Sequence, residues 1–193
     1  MEARAGCQTD GRGSDMTTVH DVILGRLLAM FSGPVMQNSL RSMYVEEQVG
    51  VLLGSRWRSV GADWAGWDFE SLDGVRLEVK QSAAKQSWSQ SRASRGSFDI
   101  APRTGRYDGA VWVPGEGRAA DIYLLAWHGR ADEHCDQRDE AQWEYYLVAA
   151  RSLPARQKTI ALSRVQQLAN PVAATEVAAQ AERLAADLPA GRS

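Results

Sequence analysis

The clearest hydrophobic pattern in the chain is a strict alternation of apolar and charged positions at residues 75–80, within a strand predicted at 75–81. The apolar positions are Val75, Leu77 and Val79, and the charged ones are Arg76, Glu78 and Lys80. Because successive side chains of a strand face opposite ways, this alternation predicts a strand with one buried face. A second short strand is predicted at 67–71, and Asp73-Gly74 between the two runs is a strong hairpin signal. Glu78 and Lys80 therefore share a face, and the neighbouring strand can bring Asp68 beside them.

Apolar residues at helical spacing predict helices on either side of the hairpin. The first extends from a cap at Thr17 or Thr18 to about residue 31, where Ser32-Gly33-Pro34 ends it. The second covers about 39–53 and places a stripe of Val45, Val49, Leu52 and Leu53 against the sheet. A short helix is predicted at 163–168 with Ser163 as its cap, and a last helix begins at Asn170-Pro171. It buries a stripe of Val177, Ala181, Leu184 and Leu188.

Further strands are predicted at 55–60, 122–127, 143–150 and 159–162. Loops are predicted at 61–66, at 129–141 and at 98–117, where prolines and glycines break the pattern and a flap would form. The fold class is thus α/β, with a central mixed β-sheet flanked by helices in a single domain. Its parts are a disordered tail at 1–16, an N-terminal helix at 17–34, the main domain at 35–170, and a C-terminal helix and tail at 171–193.

Two glutamates of the second helix have different expected positions. At about 100° per residue, Glu46 lies about 75° from the centre of the apolar stripe, and Glu47 lies about 175° from it. Glu46 can therefore face a site at the edge of the core, whereas Glu47 faces water. The alternative is that both are ordinary solvent-facing helix residues.

Composition and charge constrain the function only weakly. The 193 residues carry a net charge of -2, which gives no global electrostatic case for nucleic acid. Residues 76–118, however, contain eight basic and four acidic side chains, whereas residues 119–146 contain two basic and seven acidic ones. A basic surface around the hairpin would suit phosphates, and the alternative is two solvated loops of unrelated charge. Cys7 and Cys135 lie in polar, flexible contexts, which fits a reducing cytoplasm, and no run is long and apolar enough to span a membrane.

Two carboxylates and an ammonium on rigid strands are suited to metal-assisted phosphodiester chemistry, since Mg²⁺ prefers hard oxygen ligands. The order of Asp68, a short spacer, and Glu78-Val79-Lys80 resembles the signature of the PD-(D/E)xK nuclease superfamily, with Trp67 where a Pro is usual. More narrowly, residues 78–88, 120–123 and 142–146 resemble a group of uncharacterised bacterial nuclease-like proteins of this fold. The resemblance covers about two thirds of the chain and implies a restriction-endonuclease-like fold.

The resemblance also implies roles for individual residues. Asp68, Glu78 and the backbone carbonyl of Val79 would hold Mg²⁺ or Mn²⁺, Lys80 would orient the attacking water, and Glu46 would supply an extra acidic group. From its place on the strand, Gln81 falls on the opposite face and would support the site from behind, whereas Ser82 returns to the Lys80 face and can touch substrate.

Residues 83–96 form a polar stretch, which we interpret as lying outside the core. Lys85 and Arg92 can reach phosphates there, and Trp88 can stack on a sugar or base. In a chain with seven tryptophans, packing is the alternative for Trp88.

The expected function is Mg²⁺-dependent cleavage of DNA by an endonuclease, in restriction or phage defence, with RNA as the other substrate the sequence leaves open. A homodimer would suit cleavage of both strands of a duplex. The alternatives are surface ion pairs without catalytic meaning, and a catalytically inactive nuclease-fold domain that binds nucleic acid or serves assembly. His128, His134 and Cys135 lack the paired spacing of a zinc site and are predicted to be loop residues.

Overall fold

The computed structural model describes residues 17–60, 66–108 and 111–188. The predicted tail at 1–16, with Cys7, lies outside the described residues, as do most of the predicted loop at 61–66 and the last five residues. The chain divides into two units, Met1–Ser32 and Gly33–Ser193.

The described part of the first unit is helix α1 (Val19–Met30). Thr18 is its N-cap: the Thr18 hydroxyl accepts a hydrogen bond from the Asp21 amide at 3.1 Å, and the Asp21 carboxylate accepts one from the Thr18 amide at 2.7 Å. This reciprocal pair satisfies backbone donors that a helix start leaves unpaired, and confirms the cap predicted at this position.

The second unit contains three α-helices, three short 3-10 helices and nine strands within its described residues. The helices are α2 (Asn38–Leu53), α3 (Leu162–Val165) and α4 (Val177–Ala186). The strands are β1 (Trp57–Ser59), β2 (Phe69–Ser71), β3 (Arg76–Ala83), β4 (Ser97–Asp99), β5 (Arg103–Asp108), β6 (Val111–Gly117), β7 (Ile122–His128), β8 (Trp143–Ala149) and β9 (Thr159–Ala161).

Five strands form the central sheet, in the order β1-β2-β3-β7-β8. Neighbours in the sheet are antiparallel except β3 and β7, which run parallel. The sheet is therefore mixed, and the predicted mixed α/β architecture is confirmed. The β2–β3 hairpin is also confirmed, since Gly74 turns the chain with a φ of 78° that L side chains rarely adopt. Two further pairs, β4 with β9 and β5 with β6, form separate two-stranded sheets.

Each face of the central sheet carries its own hydrophobic core. On one face, Leu77 and Leu124 pack with Val45 of α2 and Val177 of α4. On the other face, residues of β7 and β8 pack with residues of β4, β9 and α3. Strand β7 is buried at all seven positions because both of its faces are covered, which explains the unbroken apolar run at residues 122–127.

Residues 98–117 differ from their predicted loop. The segment contains the end of β4 and the antiparallel β5–β6 hairpin. Its glycines and prolines indicated a loop, but a two-stranded sheet has two edges and tolerates Pro114. Gly105 has a packing reason, because a Cβ there would lie 2.4 Å from a ring carbon of Trp112. The prediction of a loop was therefore wrong for most of this segment.

The C-terminal helices also begin at other positions than predicted. Ser163 is inside α3, whose N-cap is Ala161. Helix α4 begins at Val177 and not at Asn170-Pro171, because Val172 exchanges backbone hydrogen bonds with Tyr145 at 2.9 and 3.3 Å. This pairing with the sheet holds the chain extended where local capping signals favour a helix.

The described residues contain no helix that is both long and apolar enough to span a membrane. Cys135, predicted to lie in a flexible polar context, is instead a buried free cysteine, only 3% exposed.

Candidate active site

Asp68 lies where strand β2 separates from β3. Its amide donates to the Leu77 carbonyl at 3.0 Å, and its carboxylate accepts a hydrogen bond from the Val79 amide at 2.6 Å. The carboxylate thus takes a backbone donor of β3 that a longer β2 would have paired. Because buried backbone donors need an acceptor, the sheet geometry fixes the Asp68 side chain beside β3.

Glu78 and Lys80 share the opposite face of β3 from Leu77 and Val79, as the alternation predicted. Their side chains form an ion pair and are 16% and 27% exposed. In the parallel register Glu78 lies beside Tyr123 of β7. The ion pair joins two groups of the predicted motif, so Lys80 is held at the site and is not diverted to an unrelated partner.

Glu46 extends from α2 toward the same group of charges. It is half-buried while Glu47 is exposed, as the helical angles predicted. Burial, followed by the charges of Asp68 and Glu47, raises the pKa of Glu46 to about 7, and Lys80 partly opposes this shift. Asp68 and Glu78 both contribute to the shift, so Glu46 belongs electrostatically to the same site.

The two motif carboxylates are also harder to ionise than usual. Burial, then the Asp68 charge, raises the pKa of Glu78 to about 7, although Lys80 lowers it. Burial raises the pKa of Asp68 as well, against the hydrogen bond from Val79 and the charge of Lys80. Three partly buried carboxylates around one ammonium are an excess of negative charge, which a further cation would relieve.

The number and chemistry of the donor atoms decide whether the site fits a metal ion. Within residues 17–60, 66–108 and 111–188, no three His, Cys, Asp or Glu side chains are placed to hold one metal ion. The chemistry of the donors nevertheless fits a hard cation, since Asp68 and Glu78 offer carboxylate oxygens. Because the amide and carbonyl of a strand residue point to the same edge, the Val79 carbonyl faces the edge where Asp68 lies. Carboxylate pairs completed by water are common for Mg²⁺.

A pocket of about 470 Å³ opens beside Glu78 and Lys80. Its remaining walls come from strands β4 to β7 and the segments next to them. They include Asp99, Arg103, Arg106, Tyr107, Trp112, Arg118 and Tyr123. Burial, then the charge of Glu78, raises the pKa of Tyr123 to about 12, so its hydroxyl remains a hydrogen-bond donor. The pocket combines an acidic pair, cations and aromatic rings.

Sequence reasoning missed most of these pocket residues. The excess of basic residues at 76–118 includes Arg103, Arg106 and Arg118, but the assignment of this segment to a loop gave no reason to single them out. The β-branched and aromatic residues on either side of Asp108-Gly109 in the sequence are the signal that would have predicted paired strands, and the structure places Tyr107 opposite Trp112.

The four residues predicted to bind substrate lie outside the pocket beside Glu78. The Ser82 hydroxyl accepts a hydrogen bond from the Ser97 amide at 3.3 Å, and the Lys85 ammonium donates to the Asp132 carbonyl at 2.7 Å. Trp88 is 58% exposed, and Arg92 is exposed beside a separate shallow depression lined by residues 92–95. None of these four lines the pocket beside Glu78. The segment at 83–96 is not wholly outside the core either, because Ala83 and Ala84 are buried.

Gln81 lies on the other face of β3 from Lys80. Its side-chain carbonyl accepts a hydrogen bond at 2.7 Å from Arg41, a fully buried arginine of α2, and its amide donates to the Asn38 side chain at 3.1 Å. Gln81 therefore ties α2 to β3, the two elements that supply Glu46 and Glu78.

The residues considered for zinc lie in different environments. His128 is fully buried at the end of β7 and not in a loop, its Nε2 lies 3.2 Å from the Asp136 carbonyl, and its Nδ1 lies 3.9 Å from the Cys135 sulfur. Burial lowers the pKa of His128. His134 is exposed on the following loop. Among the described residues, none of the three belongs to a cluster of three or more His, Cys, Asp or Glu side chains placed to hold one metal ion.

No family model, curated protein or solved structure matches this chain. The mixed α/β fold and the site geometry are therefore described from the structure of this chain alone. The PD-(D/E)xK resemblance stays a prediction from Asp68, Glu78, Lys80 and the similar runs around them.

Proposed function

We propose that this chain is a divalent-metal-dependent nuclease that hydrolyses phosphodiester bonds in DNA, with a restriction-endonuclease-like fold and a cytoplasmic role in restriction or phage defence. The observation that carries the proposal is the convergence of Asp68, Glu78 and Lys80, with Glu46, beside a pocket lined by arginines. Ordinary surface ion pairs do not require three partly buried carboxylates next to a cationic pocket.

Asp68, Glu78 and the Val79 carbonyl would hold Mg²⁺ or Mn²⁺. When bound, the metal would polarise the phosphodiester and lower the pKa of a coordinated water. The excess negative charge at Asp68 and Glu78 supports this assignment, since a divalent cation would offset it.

Lys80 supplies the positive charge that the reaction needs from the protein. Its ion pair with Glu78 holds the ammonium at the acidic pair, where it can orient a water and offset charge that develops on the phosphate. Glu46 approaches from α2 and would hold a further water or proton at the same place. Gln81 supports this arrangement through Arg41.

The first test is cleavage of plasmid, linear duplex and single-stranded DNA, and of RNA, with and without Mg²⁺ or Mn²⁺. We expect Lys80→Ala to lower DNA cleavage by about 100-fold or more, because removal of one charge-stabilising group commonly costs that much. Lys158→Ala, at an exposed lysine outside the pocket, is the matched control. Unchanged cleavage by Lys80→Ala would remove Lys80 from the mechanism.

The alternative is a nuclease-fold domain that binds nucleic acid without cleaving it. It is supported by the arginines and exposed aromatic rings that line the pocket, since these groups can bind nucleic acid without a metal ion. Absence of cleavage on every substrate, together with nucleic-acid binding, would establish this alternative over the hydrolase.

The second test measures metal binding without any reaction. Calorimetric titration with Mn²⁺ should show binding that Asp68→Asn and Glu78→Gln each abolish, because each removes one carboxylate ligand. Glu47→Gln, at the exposed neighbour of Glu46, is the control and should bind as wild type does. Binding that persists in both ligand variants would show that the ligands are assigned wrongly.

A further inference from the structure

The pocket beside Glu78 keeps a positive charge after its own ion pairs are formed. Lys80 pairs with Glu78, and Arg103 pairs with Asp99 at 2.8 Å. The two other arginines of the lining, Arg106 and Arg118, form no ion pair with any described residue. Two guanidinium charges are thus available to an anion.

The two arginines differ in how their donors are used. Arg118 donates to the carbonyls of Ile100 at 2.7 Å and Pro154 at 2.6 Å, which fixes its position. Arg106 has a buried Nε without a hydrogen-bond partner among the described residues. A buried donor without a partner is costly, and a shift of the Arg106 guanidinium toward the pocket would let a phosphate oxygen satisfy it.

Aromatic rings form the outer wall of the same pocket. Trp112 and Tyr107 are 49% and 39% exposed, and their ring centroids are 5.1 Å apart in an edge-to-face arrangement. Gly105 lets the Trp112 ring lie close to the β5 backbone. Large aromatic surfaces left in solvent beside cations suit the stacking of nucleic-acid bases.

We propose that this pocket binds an unpaired nucleotide of a single-stranded nucleic acid, with a phosphate on Arg106 near Arg118 and the base on Trp112. This proposal rests on the proposed nuclease function and specifies that its substrate is single-stranded. A pocket of about 470 Å³ is within the range of small-ligand sites.

The preference for an unpaired nucleotide follows from the aromatic wall. In a duplex each base face is covered by its stacked neighbours, so an indole can stack only on a base that has left the helix. Phosphate contacts alone would give no preference for an unpaired base, since single strands and duplexes both present phosphates. The arginines therefore account for affinity for nucleic acid, and Trp112 accounts for the preference for single strands over duplexes.

The test measures binding in EDTA, so that cleavage does not contribute. Fluorescein-labelled single strands of about 12 nucleotides, as DNA and as RNA, and the matching DNA duplex are titrated with the full chain and followed by anisotropy. We expect tighter binding of a single strand than of the duplex. Trp112→Ala should weaken single-strand binding by about five- to 150-fold, because stacking on one aromatic contributes that much.

Arg106→Gln should lower the slope of log affinity against log salt by about 0.7, as expected for the loss of one phosphate contact on a single strand. Val111→Ala changes an exposed residue of the same hairpin that does not line the pocket, and should bind as wild type does. Circular dichroism of each variant checks that the hairpin change leaves the fold intact.

Equal affinity for single strand and duplex, or wild-type binding by Trp112→Ala, would overturn the inference. So would loss of binding in Trp88→Ala together with retention in Trp112→Ala, since the stacking residue would then be Trp88. Metal-dependent cleavage is assayed separately, so failure of hydrolysis and failure of single-strand binding give different results.

Discussion

At the residue scale, the site contains carboxylates whose pKa values are raised, because they are partly buried and close to one another's negative charges. Burial raises the pKa of Glu46 and of Glu78, and the negative charge of Asp68 adds to both shifts. A group whose pKa is raised in the folded state favours folding while it is protonated. Its contribution is complete below the pKa of the unfolded chain and is lost as pH rises through the folded pKa.

For Glu46 this window extends from about pH 4.5 to about pH 7. We expect Glu46→Gln to gain stability relative to wild type between pH 4.5 and pH 8, by about 1 to 2 kcal/mol after allowance for the partial exposure of Glu46. The glutamine remains neutral, so it avoids the cost of ionisation at high pH. Urea unfolding in EDTA at both pH values measures the difference.

Glu47→Gln is the matched control because Glu47 lies on the exposed side of the same helix. Its stability relative to wild type should change less with pH than that of Glu46→Gln. If the two variants behave alike, Glu46 does not share the electrostatic environment of Asp68 and Glu78.

At the element scale, the β5–β6 hairpin completes the pocket, and its geometry depends on one glycine. A Cβ at Gly105 would lie 2.4 and 2.7 Å from atoms of the Trp112 ring and 2.7 Å from the Val113 carbonyl. Contacts this short force the ring or the strand to move. The position of Trp112 therefore depends on Gly105 without any contact between Gly105 and a ligand.

We expect Gly105→Ala to displace Trp112 and weaken single-strand binding by about five-fold or more, as partial loss of a stacking contact predicts. Gly115→Ala in the partner strand is the control, because a Cβ there meets no atom within 4 Å among the described residues. Anisotropy in EDTA measures both variants. Wild-type binding by Gly105→Ala would show that Trp112 stacks on no base.

At the scale of the whole molecule, the described site residues and both hydrophobic cores belong to the second unit, Gly33–Ser193. We expect a chain limited to residues 33–193 to unfold cooperatively and to bind Mn²⁺ as the full chain does, since it keeps the sheet that positions Asp68 and Glu78. Thermal unfolding followed by circular dichroism and calorimetric titration measure these properties. Loss of Mn²⁺ binding in a folded truncated chain would mean that residues 1–32 contribute to the site.

Light scattering on the full and truncated chains tests the expected homodimer at the same time. The sequence argument for a dimer rested on cleavage of both strands of a duplex. If an unpaired nucleotide is the substrate, cleavage does not require two active sites on a duplex. A monomeric full chain would then agree with the proposed single-strand pocket.

Local patterns predicted those parts of the fold in which one face meets a core and the other does not. The alternation at Leu77, Glu78, Val79 and Lys80 predicted β3 and its two faces, and the stripe on α2 separated Glu46 from Glu47. These patterns are reliable because burial acts on each position separately. The Asp73-Gly74 turn was predictable because its backbone conformation is local.

Local signals failed where a distant segment changed the outcome. Val172 pairs with Tyr145 of β8, so α4 starts later than Asn170-Pro171 indicates. His128 and Cys135 were predicted to be loop residues, but both are buried, because the loop after β7 returns across the end of that strand. Such contacts depend on how separate segments of the chain pack together, which the periodicity of a single element does not record.

The sequence by itself determined the mixed α/β class, the shared face of Glu78 and Lys80, and the partial burial of Glu46, because each follows from the regular spacing of side chains on one element. Tertiary structure alone decided that the Asp68 carboxylate binds the Val79 amide and that the β5–β6 hairpin brings Arg106 and Trp112 to Glu78. The position of a charge in the sequence fixes its place on a strand. Its partners depend on how separate strands pack, which is a property of the whole chain.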